Sequence, residues 1–133
     1  MSGALRSAVR ARAGDRCEYC RIRQGELPFA QFHLEHVVAR QHGGSDELDN
    51  LAYACQQCNL FKGPNLSSID PATGEPAWIF NPRQQLWEEH FVMQGALIVG
   101  TTPTGRATAR LLQMNSRDRV ALRKRLLHGL SNG

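Results

Sequence analysis

Four cysteines fall in two C-x-x-C pairs, CEYC at Cys17 and Cys20 and CQQC at Cys55 and Cys58. This spacing lets two thiolates face one ion from a tight turn, and two such pairs make a four-thiolate set suited to tetrahedral Zn²⁺. Disulfides or a redox C-x-x-C are competing uses of the same residues. The N-terminal residues show no signal-peptide pattern and each cysteine has a partner by spacing, so the expectation is reduced thiols in a soluble, cytoplasmic protein. A closed Cys₄ site keeps no open coordination position, so its zinc should hold the fold and leave chemistry to other side chains. The separation of the two pairs exceeds that of a minimal zinc ribbon and leaves room for an inserted hairpin. That insert carries polar and ionisable residues close together: Glu35 and His36, then HGGSD, then Asp49 and Asn50, with Asn59 and Lys62 just beyond.

The elements that position these residues can be read from local pattern. Ala4, Leu5, Ala8 and Val9 recur at helical spacing with arginines on other faces, and Gly14 is placed to end that helix before the first cysteine pair. PFAQFHLEHVV, residues 28–38, is rich in residues that fit a strand, and the glycines at 43 and 44 suit a loop. Leu51 to Tyr53 can form a short partner strand, and a helix should begin near Cys58 and Asn59. The polar run NLSSIDPATGEP reads as turns, and AWIFNPRQQLWEEHF as satellite core through its two Trp and two Phe. GALIVG reads as a strand, TTPTG as a loop, GRATARLLQMN as a helix and Ser116 as the N-cap of a last helix. The chain is long enough for one core with a metal staple, so residues 1–133 are expected to form a single domain.

Charge is distributed unevenly. Residues 1–23 carry six Arg against Asp15 and Glu18, and residues 104–133 carry seven Arg and Lys against Asp118. The centre, residues 24–103, holds nine Asp and Glu against Arg40, Lys62 and Arg83. Basic ends around an acidic centre suit a grip on a polyanion at the edges and a divalent cation in the middle. A solvated surface of uneven charge fits the same counts. No apolar run approaches membrane-spanning length, so no membrane partner is expected.

The order Cys17, Cys20, then Glu35-His36-Val37, Gly43-Gly44, Asp49-Asn50-Leu51, Cys55, Cys58-Asn59 and Lys62 resembles the HNH endonuclease family over roughly residues 10–63. The tail, with Phe80-Asn81-Pro82-Arg83, Gly105-Arg106-Ala107-Thr108 and Met114-Asn115, looks like a C-terminal extension of small bacterial HNH proteins. The resemblance implies an α+β fold: a ββα-metal core at residues 10–63 stapled by the Cys₄ zinc, with an N-terminal helix and a mainly helical extension, residues 64–133, packed on it. It implies hydrolysis of phosphodiester bonds in DNA, with His36 as general base and with Glu35 and Asn59 as ligands of one catalytic cation. Oxygen donors of this kind suit Mg²⁺ or Mn²⁺ better than zinc. Asn50 would tie the loop to the strand by side-chain to backbone hydrogen bonds and so orient His36. On a strand, residues 35 and 36 point to opposite faces, so both can serve one site only where the strand bends or ends. Lys62, Arg106, Arg110, Arg117, Arg119, Arg123, Lys124 and Arg125 are candidates for contacts to the nucleic-acid backbone. One metal and one base cut one strand, so a homodimer is one way to cut both. A non-catalytic zinc-stapled nucleic-acid-binding module and a nuclease subunit awaiting a partner remain alternatives.

Overall fold

The computed structural model describes residues 2–132. Helix α1, Gly3–Arg12, starts at Ser2, whose side chain accepts from the Leu5 N–H, and ends before Gly14 at φ 65°. The first cysteine pair follows in a turn closed by Cys17 N–H to Ile22 O at 2.8 Å. Strand β1, His33–His36, is shorter than the pattern over 28–38 suggests. The preceding residues turn instead, and Phe29 is fully exposed. Antiparallel to β1 runs β2, Leu51–Ala54, with Glu35 opposite Ala52 and His36 opposite Leu51. Helix α2, Gln56–Lys62, begins slightly earlier than expected because the Cys55 sulfur accepts from the Cys58 N–H and serves as its N-cap. The result is two antiparallel strands followed directly by a helix.

The remaining residues are more sheet-rich than their sequence suggests. A hairpin pairs β3, Ser67–Ile69, with β4, Pro76–Trp78, where the pattern shows only turns. Its tip is made by Asp70, whose carbonyl accepts from Gly74 N–H at 2.8 Å. A second hairpin pairs β5, Phe91–Gln94, with β6, Leu97–Gly100. Helix α3, Pro103–Leu111, is capped by Thr102 and lies against β4 and β6. It approaches so closely that a Cβ on Gly105 would sit 1.9 Å from His90 O. Helix α4, Arg117–Asn132, completes the described residues.

One core joins both parts. Val9, Tyr19, Phe32 and β2 pack in the same cluster as Phe80, Trp87, Phe91, Ile98, Leu112 and Met114. Trp87 donates its indole N–H to Tyr19 O at 2.7 Å and stacks on Phe91 with ring centroids 5.0 Å apart. The reading of the aromatic run as core therefore holds for Phe80, Trp87 and Phe91. It fails for Trp78, which lies on the outer face of β4 and is 70% exposed. Among the described residues, no helix is long and apolar enough to cross a membrane.

Candidate active site and metal centre

The four cysteines converge. All are buried, and their sulfurs lie within 4.8 Å of one another. Cys20 Sγ and Cys55 Sγ, one from each pair, are 3.8 Å apart. Tetrahedral thiolates at about 2.3 Å from zinc stand ~3.8 Å from each other, so the spacing fits an ion at the centre. The N–H groups of Cys20 and Cys58 point at Cys17 Sγ and Cys55 Sγ at 3.5 Å, while burial pushes the Cys17 thiol up. Hydrogen bonding with Cys17 pulls the Cys20 and Cys55 thiols below their ordinary value, and Arg119 adds to this at Cys55. Four buried cysteines in this arrangement can hold a metal such as zinc, and the donor set favours it.

Arg119 reaches this centre from α4, where the sequence suggests a contact to phosphate. Its guanidinium donates to Cys20 Sγ at 3.4 Å and to Cys55 Sγ at 3.5 Å. Burial works against its charge, but the two sulfurs outweigh it and leave its pKa raised.

The second group of residues gathers where β1 ends. His36 and Asn59 line an open depression with Leu34, Arg40, Gly63 and the edge of Glu35. His36 Nε2 lies 2.7 Å from Asp46 Oδ1, and Asp46 also accepts from Arg40 Nε at 2.9 Å. Arg40 first, and then His36, holds the Asp46 carboxyl below the usual carboxylate range. A carboxylate on Nε2 favours the tautomer with its proton there, which leaves the Nδ1 lone pair free to accept one. Sequence reasoning misses Asp46. Its only trace there is its place just after the glycine loop, ten residues beyond His36.

Asn50 makes the tie expected of it. Its Oδ1 accepts from Val38 N–H at 2.9 Å, and its Nδ2 donates to Val38 O at 2.9 Å and to Ser45 O at 2.7 Å. Gly44 is needed beneath this clasp, because a Cβ there would lie 1.7 Å from Val38 O and 2.8 Å from Asn50 Nδ2.

Glu35 and Lys62 stand differently from expectation. The two side chains are 3% and 2% exposed, with Lys62 Nζ 2.5 Å from Glu35 Oε1. Tyr19 Oη donates to Glu35 Oε2 at 2.6 Å, while Lys62 Nζ also donates to Val37 O at 2.9 Å and His36 O at 3.3 Å. Glu35 Oε1 has no aligned hydrogen bond, so its contact with Lys62 is an ion pair of close charges rather than a directional bond. Burial raises the Glu35 pKa, against the pull of Lys62. Burial and then the Glu35 charge push Tyr19 well above its ordinary value. Lys62 is turned inward. It is an internal brace under the backbone of His36.

Two more of the arginines expected at nucleic acid are engaged internally. Arg106 forks onto Asp70 at 2.9 and 2.8 Å and draws its pKa down to about 2. Arg123 is buried and donates to Ala96 O, Met114 O and Asn115 Oδ1. Arg110, Arg117, Lys124 and Arg125 are exposed. Of the other histidines, His42 is exposed in the loop and His33 is half-buried, while His90 meets Thr102 Oγ1 at 2.7 Å and packs edge-on to Phe80.

Residues 17–65 match the HNH endonuclease family model. The HNH segment takes in both cysteine pairs, β1, β2 and α2, together with His36, Asp46, Asn50 and Asn59. It points to nuclease activity in general, and DNA is a plausible substrate for it. No curated protein and no solved structure matches the chain.

Proposed function

We propose that this chain is a metal-dependent HNH endonuclease that hydrolyses phosphodiester bonds in DNA, with His36 activating the attacking water. The observation that carries the reading is the setting of His36 within the HNH segment. It stands at the end of β1 on the rim of an open depression, with Asp46 on one ring nitrogen and, among the described residues, no hydrogen bond on the other. The β1, β2, α2 succession agrees with a ββα-metal core. We take residues 1–133 as one domain, because the core cluster runs through both the HNH segment and the extension.

In this proposal Asp46 holds the proton on Nε2, and Nδ1 takes a proton from water lying in the depression. Asn50 clasps Val38 while Lys62 holds the carbonyls of His36 and Val37, so the end of the strand is fixed from both sides and the imidazole is oriented by its backbone. A bound divalent cation would offset charge on the phosphate and on the departing 3′ oxygen. Asn59 lines the depression, and the neutral oxygen of its amide would fit such a shell. Glu35 does not. A hard dication seeks ionised oxygens that face its waters, and both oxygens of Glu35 are turned inward to Tyr19 and Lys62, with an ammonium already beside one of them. No step is therefore assigned to a cation on Glu35.

The test is relaxation of supercoiled plasmid by the zinc-loaded protein with Mg²⁺ or Mn²⁺. Wild type should nick the plasmid, whereas His36→Ala should bind it with the same circular dichroism spectrum and leave it intact. Equal rates for the two proteins would remove His36 from the chemistry.

A further inference from the structure

Helix α4 carries two sets of basic residues on different sides. Arg119 and Arg123, one turn apart, are both buried. Arg117 and Lys124, two turns apart, share another side and are exposed, with the exposed Arg125 beside them. The buried pair fixes the helix at two points. Arg123 is tied to the carbonyls at 96 and 114, and Arg119 to one sulfur from each cysteine pair. Among the described residues, Arg119 has no carboxylate within ion-pairing distance. Its partners at this end are the two cysteine sulfurs.

A zinc held by four thiolates carries net negative charge, and a donor fork across two of its sulfurs offsets part of it. The same fork makes the position of α4 depend on that cluster. We infer that the Cys₄ metal centre, through Arg119, holds α4 so that Arg117, Lys124 and Arg125 form a basic stripe that grips the sugar-phosphate backbone of nucleic acid. This inference rests on the proposed nucleic-acid function. It narrows the basic set on α4 to three residues, gives Arg119 and Arg123 the role of positioning residues, and ties metal retention to DNA affinity at a place separate from His36.

Two readouts that do not depend on turnover test it: transfer of zinc from the folded protein to a chromogenic chelator, and DNA affinity by fluorescence anisotropy in Mg²⁺-free buffer over a range of salt. Arg119→Gln should bind zinc about 10- to 100-fold more weakly, the range known for loss of a residue that orients metal ligands, should release it correspondingly faster to the chelator, and should lose DNA affinity together with the metal. Arg119→Lys keeps the charge but not the fork. It should fold, judged by circular dichroism, and still release zinc several-fold faster, so it decides the matter if Arg119→Gln fails to fold. Replacing Arg117, Lys124 and Arg125 together by Gln should leave zinc release at the wild-type rate. It should make the slope of log K against log salt shallower by about 0.9 for each phosphate that is no longer neutralised.

Wild-type zinc retention in a folded Arg119→Lys protein would overturn the anchor. Unchanged DNA affinity in the triple variant would overturn the stripe. Failure of the wild-type protein itself to bind DNA would refute the nucleic-acid reading, and with it the stripe, while the zinc-release comparison would still judge Arg119.

Discussion

Replacing Lys62 by Met should be among the most damaging single changes in the chain, although this lysine lies in a helix's last turn and looks like a surface residue in the sequence. Its side chain is 2% exposed, and its ammonium offsets a Glu35 carboxylate that is 3% exposed. Removing one partner of a buried pair leaves the other charged and unpaired, at a cost of about 3–5 kcal/mol. Against a typical domain stability of ~5–15 kcal/mol, that is a large fraction of the total. With a urea m-value of about 2 kcal/mol/M, the unfolding midpoint should fall by about 2 M.

The partner variant separates charge from packing. Lys62→Met combined with Glu35→Gln removes the orphaned charge and should recover most of the loss. The pH dependence gives a further check. Burial already raises the Glu35 pKa above 4.5, and loss of Lys62 removes a lowering influence, so Glu35 in Lys62→Met should titrate higher still. The folded form then holds more protons than the unfolded one as pH rises above 4.5, so stability falls with rising pH in that window. The deficit of Lys62→Met should therefore shrink as pH drops toward 4.5 and widen above it. A single-variant cost below about 1 kcal/mol, or a double variant as costly as the two single losses summed, would refute the brace.

Other perturbations reach different parts of the molecule. Asp46→Asn should preserve the fold but cost part of the ~10²–10⁴-fold that a positioned base supplies, measured in single-turnover cleavage; full activity would show that Asp46 does not set the tautomer. Gly44→Ala places a methyl against Val38 O and the Asn50 amide and should cost more than about 2 kcal/mol in chemical unfolding. Asp70, held at a pKa of about 2 by Arg106, contributes stability that is present above its ordinary value of 3.8 and lost as pH falls through about 2. Asp70→Asn should accordingly lower the thermal midpoint at neutral pH and bring it closer to wild type in acid.

The HNH segment is legible in the sequence because its constraints are local. C-x-x-C spacing places two sulfurs on one turn, Gly43 and Gly44 mark the loop, and Asn50 does in space what its chemistry suggests. The hairpins of the extension are harder to read. β3 and β4 are three residues each, with Ser67, Ile69, Pro76 and Trp78 on exposed positions, so no alternation announces them. Phe91 to Gln94 has one buried and three exposed residues, which gives no strand period and leaves only the packing of Phe91 to be seen. Sequence shows residue type but not depth, and the site suffers most from this. Lys62, Arg106, Arg119 and Arg123 have the same charge as Arg110, Arg117 and Lys124, yet the first four are held by Glu35, Asp70, sulfurs and carbonyls inside the molecule. Asp46 is hidden because its partner, His36, lies across a loop rather than along an element.

The central claim is that His36 activates water for phosphodiester hydrolysis. The most direct measurement is single-turnover cleavage of an end-labelled DNA duplex by wild type and His36→Ala, each with Mg²⁺, with Mn²⁺ and with chelator. Cleavage by wild type that needs a divalent cation, with His36→Ala bound to the duplex but inert, is the predicted result. Cleavage by His36→Ala at the wild-type rate, or intact duplex after incubation with folded, metal-supplied wild type bound to it, would contradict the account.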